Sequence, residues 1–145
     1  MNWKGHLTVG FFTAIGITAV IKPGLVETGL LVLLCAFSAL LPDIDHDMSK
    51  GRKIIDSMAL VIPFALGWSA TNNFIASTGP AFLFFGIYTV LFRVFKPKHR
   101  GITHTGIATI IFASVIYLLY GPVAGLYAGA GYLSHLIADK HLRIV

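Results

Sequence analysis

Six apolar runs, parted by short segments that carry nearly all the charge, constrain this 145-residue chain more than any single motif does. They cover roughly residues 7–21, 25–41, 54–70, 74–92, 105–120 and 122–138. A backbone surrounded by apolar groups must satisfy its own N–H and C=O, and a helix does so within one segment. The expectation is an all-α membrane protein: residues 1–145 as a single polytopic domain, folded into a compact bundle of about six transmembrane helices. Hydrophobic residues make up 56 % and charged residues 12 %, against about 25 % charged in soluble domains. The mean hydropathy of +0.80 agrees. Several runs fall short of the ~20 residues that span a bilayer, so the helices are expected to extend into their polar flanks or to thin the bilayer locally.

Charge gives these helices a direction. With the N-terminus taken as cytoplasmic, Lys4, Lys50, Arg52, Lys53, Arg93, Lys96, Lys98, Arg100, Lys140 and Arg143 fall on the inner side and only Lys22 on the outer. That asymmetry places both termini in the cytoplasm, in a multi-pass protein of the cell inner membrane. Lys22-Pro-Gly, Thr71-Asn-Asn and Tyr120-Gly-Pro read as outer turns, Pro42 and Pro97 mark inner ends, Pro63 predicts a kink in the third helix, and Pro80 predicts either the start of the fourth helix or a bend within it. The net charge of +5 is dispersed over short loops and forms no continuous basic face, so no nucleic-acid partner is expected. The single Cys35 excludes an intrachain disulfide and argues against a thiolate site. Lys4 and the run behind it resemble a signal peptide, yet no small-residue cleavage site precedes Lys22, so His6 is expected to stay in the mature chain.

The same orientation, drawn from lysine and arginine alone, gathers the remaining ionisable groups at one end. His6 opens the first helix; Asp43, Asp45 and His46 close the second; His104 opens the fifth; His135 and Asp139 close the sixth. Ionisable groups beside hydrocarbon are costly to keep and ask for a function. His135 and Asp139, four apart, project from one helical face, and Asp43 and Asp45 alternate in a turn-like or extended segment after Pro42. Thr103 is a candidate N-cap for the fifth helix, which puts His104 in its first turn. These seven exceed the three protein ligands of a typical catalytic zinc and would accommodate two ions. Arg100, inside the histidine cluster, can hold a phosphate in bidentate fashion. His99 and His141 read as headgroup contacts, Asp47 as a turn residue, Asp56 as a carboxylate stabilising the start of the third helix, and Glu27 as exposed on the outer side. Gly125, Gly129 and Gly131 predict close helix packing.

Gly5-His6, Leu41-Pro-Asp-Ile-Asp-His46, His99-Arg-Gly-Ile-Thr-His-Thr105 and Gly131-Tyr-Leu-Ser-His-Leu-Ile-Ala-Asp139 occur in the order seen in the YdjM-like, membrane-bound, metal-dependent hydrolases, and the chain resembles that family from residue 5 to residue 139. The resemblance implies a divalent-metal hydrolase of the inner membrane, with His6, Asp43, Asp45, His46, His104, His135 and Asp139 as metal and catalytic positions. One departure is visible: relatives carry a Thr-Pro-containing segment after the last motif, where this chain reads Lys-His-Leu-Arg-Ile-Val. The combined expectation is a phosphoesterase acting on a lipid or lipid-linked phosphate. In it a metal-activated water is the nucleophile, Asp43 or Asp45 the base, and Arg100 the stabiliser of phosphoryl charge. Zinc is the first choice of metal, and manganese or iron suit the mixed His and Asp set. The alternatives are a small metal or proton transporter and a structural membrane protein whose metal fixes the bundle.

Overall fold

The computed structural model describes residues 2–45, 50–90 and 102–139, leaving aside the side chains of residues 44, 45, 50–55 and 102. Among the described residues it is all-helical: α1 (Trp3–Ile21), α2 (Leu25–Ser38), α3 (Lys50–Thr71), α4 (Phe74–Thr89), α5 (Gly106–Tyr120) and α6 (Pro122–Ala138). Short 3-10 turns at Leu41–Asp45 and Ile102–His104 follow α2 and precede α5. The sequence-derived boundaries agree within a few residues, and the differences have local causes. Asn2 caps α1 by accepting a hydrogen bond from the Gly5 amide at 2.9 Å, which starts the helix a turn before the apolar run. Thr105, not Thr103, caps α5 through the Ala108 amide at 3.2 Å, so His104 lies in the turn before the helix. Of the turn-like and extended readings for the segment after Pro42, the turn holds: Leu41–Asp45 is a 3-10 turn.

The three turns at the other end share one device. Lys22, Asn72 and Gly121 each take a positive φ, of 52°, 47° and 88°, between consecutive helices. A left-handed residue lets the last helical carbonyls of one helix be satisfied before the chain reverses; the Lys22 amide donates to the Thr18 carbonyl and that of Gly121 to the Tyr117 carbonyl. Pro23 and Pro122 then open the next segment. Asn73 caps α4 through the Ala76 amide at 3.1 Å, so that helix begins at Phe74 and continues through Pro80. Hydroxyls within the helices fold back on the preceding turn: Thr13 donates to Val9, Thr18 to Ala14, Ser38 to Leu34 and Thr89 to Phe85.

α1, α2, α5 and α6 surround the core, with Leu31, Leu34, Leu41, Ile116, Tyr127 and Leu136 almost wholly buried. α3 and α4 form a hairpin that packs on α2 and on the turn after it, and Ala59, Ile62, Phe84 and Tyr88 extend the same core. Asp56, expected to stabilise the start of α3, lies in its second turn and accepts a hydrogen bond from the Tyr88 hydroxyl of α4. Large apolar side chains also cover the outside: Phe12 is 65 %, Ile75 81 % and Leu118 78 % exposed. An exterior this apolar suits lipid better than water. Among the described residues only α1 is both long and apolar enough to cross a membrane by length and composition.

The expected close packing at glycines holds. A Cβ on Gly125 would come within 2.8 Å of the Tyr117 Cβ and one on Gly129 within 3.0 Å of the Ala113 Cβ, so α5 and α6 are nearly in backbone contact. A Cβ on Gly131 would strike the Cys35 carbonyl of α2, and one on Gly10 would reach 2.7 Å from the Ala39 Cβ. Cys35 completes this three-helix crossing by donating from its thiol to the Gly10 carbonyl at 3.3 Å.

Candidate metal centre

That crossing lies one turn away from the ionisable cluster on each of its three helices. Gly10 is four residues after His6, Cys35 four before Ala39, and Gly131 four before His135. Because i and i+4 stack along a helix, backbone contact at the crossing brings His6 and His135 together. Their rings stack with centroids 3.8 Å apart at 22°, and both are fully buried. His104 joins edge-on, its ring centroid 5.5 Å from that of His135.

The carboxylates close the arrangement from the more open side. Asp139, the C-cap of α6, places Oδ1 3.2 Å from His6 Nε2 and Oδ2 3.6 Å from His135 Nε2. Asp43 lies 3.6 Å from His135 Nε2, 3.8 Å from His104 Nε2 and 3.8 Å from His6 Nε2. The Asp43 side chain is 36 % and the Asp139 side chain 20 % exposed, so a rim of carboxylates faces outward above a floor of buried imidazoles. Burial opposes ionisation of Asp43, but the imidazoles of His104, His135 and His6 outweigh it and hold the carboxyl below its ordinary range.

One backbone carbonyl orients the His135 ring, and another fixes the turn that carries His104. His135 Nδ1 is 2.8 Å from the Ala39 carbonyl oxygen, which can only accept, so Nδ1 carries the proton. A neutral His135 then has its lone pair on Nε2, and that atom is buried without a hydrogen bond among the described residues. On α6 the Tyr132 hydroxyl donates to the Thr103 carbonyl, tying the turn before His104 to the helix that carries His135. Nothing in the sequence pattern points to Ala39 or Tyr132, since one acts through its backbone and the other reads as an ordinary buried aromatic.

These donors fit a divalent cation. His6, His135 and Asp139 form one group, and Asp43, His104 and His135 another, with ligand atoms within 4.8 Å of one another. Two ligands at about 2.1 Å from a tetrahedral ion stand about 3.4 Å apart, close to the 3.2–3.8 Å separations here. An imidazole anchored to a carbonyl through Nδ1 with Nε2 directed inward is the usual way a protein fixes a metal-binding histidine. The two groups share His135, whose one available nitrogen serves a single ion. Of the eight residues expected at the site, five converge: His6, Asp43, His104, His135 and Asp139. Asp45 lies in the same turn as Asp43 with its side chain outside the described set, and His46 and Arg100 lie outside the described residues, as do Asp47, His99 and His141.

No curated protein and no solved structure matches the chain. The profile of the family described as YdjM inner membrane protein, in contrast, matches residues 1–142. That span takes in all four motifs and every helix that brings them together, and on it the chain belongs to the YdjM inner membrane protein family.

Proposed function

We propose that this protein is a multi-pass, metal-dependent hydrolase whose helices cross the inner membrane with both termini in the cytoplasm, and that it cleaves a lipid or lipid-linked phosphoester at the cytoplasmic face. The observation that carries the reading is the anchored His135: Nδ1 on the Ala39 carbonyl, Nε2 directed at two carboxylates of which Asp43 is the more open. His6, His135 and Asp139 would hold one divalent ion, zinc first and manganese or iron next, with His104 and Asp43 opposite. A second ion would have to draw on Asp45 and His46 besides His104 and Asp43. A bound ion would supply Lewis acidity toward a phosphoryl oxygen and lower the pKa of water toward neutral pH.

The chain's own groups supply the rest. Asp43, ionised and within reach of three imidazoles, is the group best placed to accept a proton from the attacking water. Its exposure leaves room for a substrate that the buried histidines alone would not admit. Arg100 keeps the role of phosphate contact that its place between His99 and His104 suggests. Exposed apolar side chains at the site end of α1 and α5, Leu7, Phe11 and Ile107 among them, favour a substrate held in the bilayer beside the site.

Metal analysis of the detergent-purified protein, followed by phosphate release from a panel of lipid phosphates, tests this. The wild type should retain a divalent ion through purification, and His135→Ala should lose it. Asp43→Asn should retain the metal while hydrolysis falls by about 10²-fold or more, the scale of a lost general base. A wild type holding no more metal than His135→Ala would end the hydrolase reading. Bound metal with no cleavage of any lipid phosphate would leave the centre and remove the substrate.

A further inference from the structure

At the end of the bundle opposite the histidines, the first turns of α2, the last turns of α3 and the Tyr120–Ala124 segment line a half-open cavity of about 920 Å³. It lies where α3 and α6, both packed on α2, diverge. Leu30, Leu31, Phe64, Leu66 and Val123 give it apolar walls, and its size is that of pockets that hold small ligands, about 300–1,000 Å³. Two features make it more than a packing gap. Glu27, in the first turn of α2, lines the same cavity and is the one acidic residue that the sequence places at this end. Trp68, 44 % exposed and stacked on Phe64, adds an aromatic face.

We propose that this cavity is a binding site for one phospholipid with a primary ammonium headgroup. One acyl chain lies along Leu30, Leu31 and Leu66, and the ammonium pairs with Glu27 beside the Trp68 ring. A headgroup of net negative charge has no cation among the lining residues and would face the Glu27 carboxylate. The site is separate from the metal centre: Leu31, the deepest α2 residue lining it, is eight residues from Ala39, about 12 Å along the helix. It rests on the inner-membrane placement of the family and not on hydrolysis.

The chain has two tryptophans, so Trp3→Phe leaves Trp68 as the only one. That full-length variant, reconstituted into phosphatidylcholine vesicles, is titrated with acyl-brominated phosphatidylethanolamine or phosphatidylglycerol while Trp68 fluorescence is followed. Half-maximal quenching should come at about a fivefold lower fraction of the ethanolamine lipid, the scale of one partly exposed ion pair. Glu27→Gln should erase the difference between the lipids, and Ala65→Phe, which fills the cavity, should remove the tight phase and keep ordinary bilayer quenching. Ala70→Leu replaces Ala65→Phe if the latter loses its helical circular dichroism. Equal curves for the two lipids, or a tight phase that survives cavity filling, would mean contact with surrounding lipid alone and overturn the site. No quenching by either lipid would overturn the site and the placement of α3 in the bilayer together.

Discussion

His135 shows how much one side chain can decide. Its Nδ1 is committed to the Ala39 carbonyl, so everything it offers the site passes through Nε2. Imidazole binds metal only in its neutral form, so in the proposed centre protons would compete with the ion for His6, His104 and His135. Metal content measured at equilibrium against a buffered ion should fall as pH is lowered and recover when pH is raised. The sign follows from proton release on binding: more protons, less metal. Asp43 contributes least to the fall, because its carboxyl is held below the ordinary carboxylate range. A metal content that stays unchanged down to the pH at which helical circular dichroism is lost would mean that the imidazoles are not the ligands.

Between helices, the geometry depends on α1, α2 and α6 approaching through Gly10, Cys35 and Gly131. Gly131→Ala puts a methyl group against the Cys35 carbonyl, which is backbone and cannot turn aside. The expected cost is about 1–3 kcal/mol of stability, read as a lowered melting temperature, with weaker metal retention as α6 shifts away from α1. Gly16→Ala is the control: nothing lies within 4 Å of its would-be Cβ, so the change should be neutral or slightly stabilising. The run Gly125, Gly129 and Gly131 announced close packing in the sequence, but its partners were not legible there. Which helix lies against Gly131 is a tertiary fact, and Cys35 read only as a thiol that forms no disulfide. Likewise Thr103 and Thr105 are equally good caps by composition; the 3-10 turn that buries His104 decides for Thr105.

Over the molecule as a whole, positive charge placed the four motifs on one side, and five of their side chains do converge. The helix count among the described residues and the turns at the end opposite the histidines were likewise legible, because apolar runs and Pro, Gly and Asn breakers act locally. The sidedness itself can be tested by thiol labelling. Cys35 is wholly buried and should remain silent, Gly24→Cys at the outer turn should react with a membrane-impermeant maleimide in intact cells, and Lys4→Cys should react only after permeabilisation. The opposite pattern would invert the topology.

The stacking of His6 on His135 also sets an order of events during synthesis. His135 follows His6 by 129 residues, so the pair forms only once α6 has been made and has docked beside α1. In the proposed centre, ion capture would wait for that step. A bound metal would then act as a clasp between α1 and α6, and a chelator should loosen that contact before it disturbs the α3–α4 hairpin.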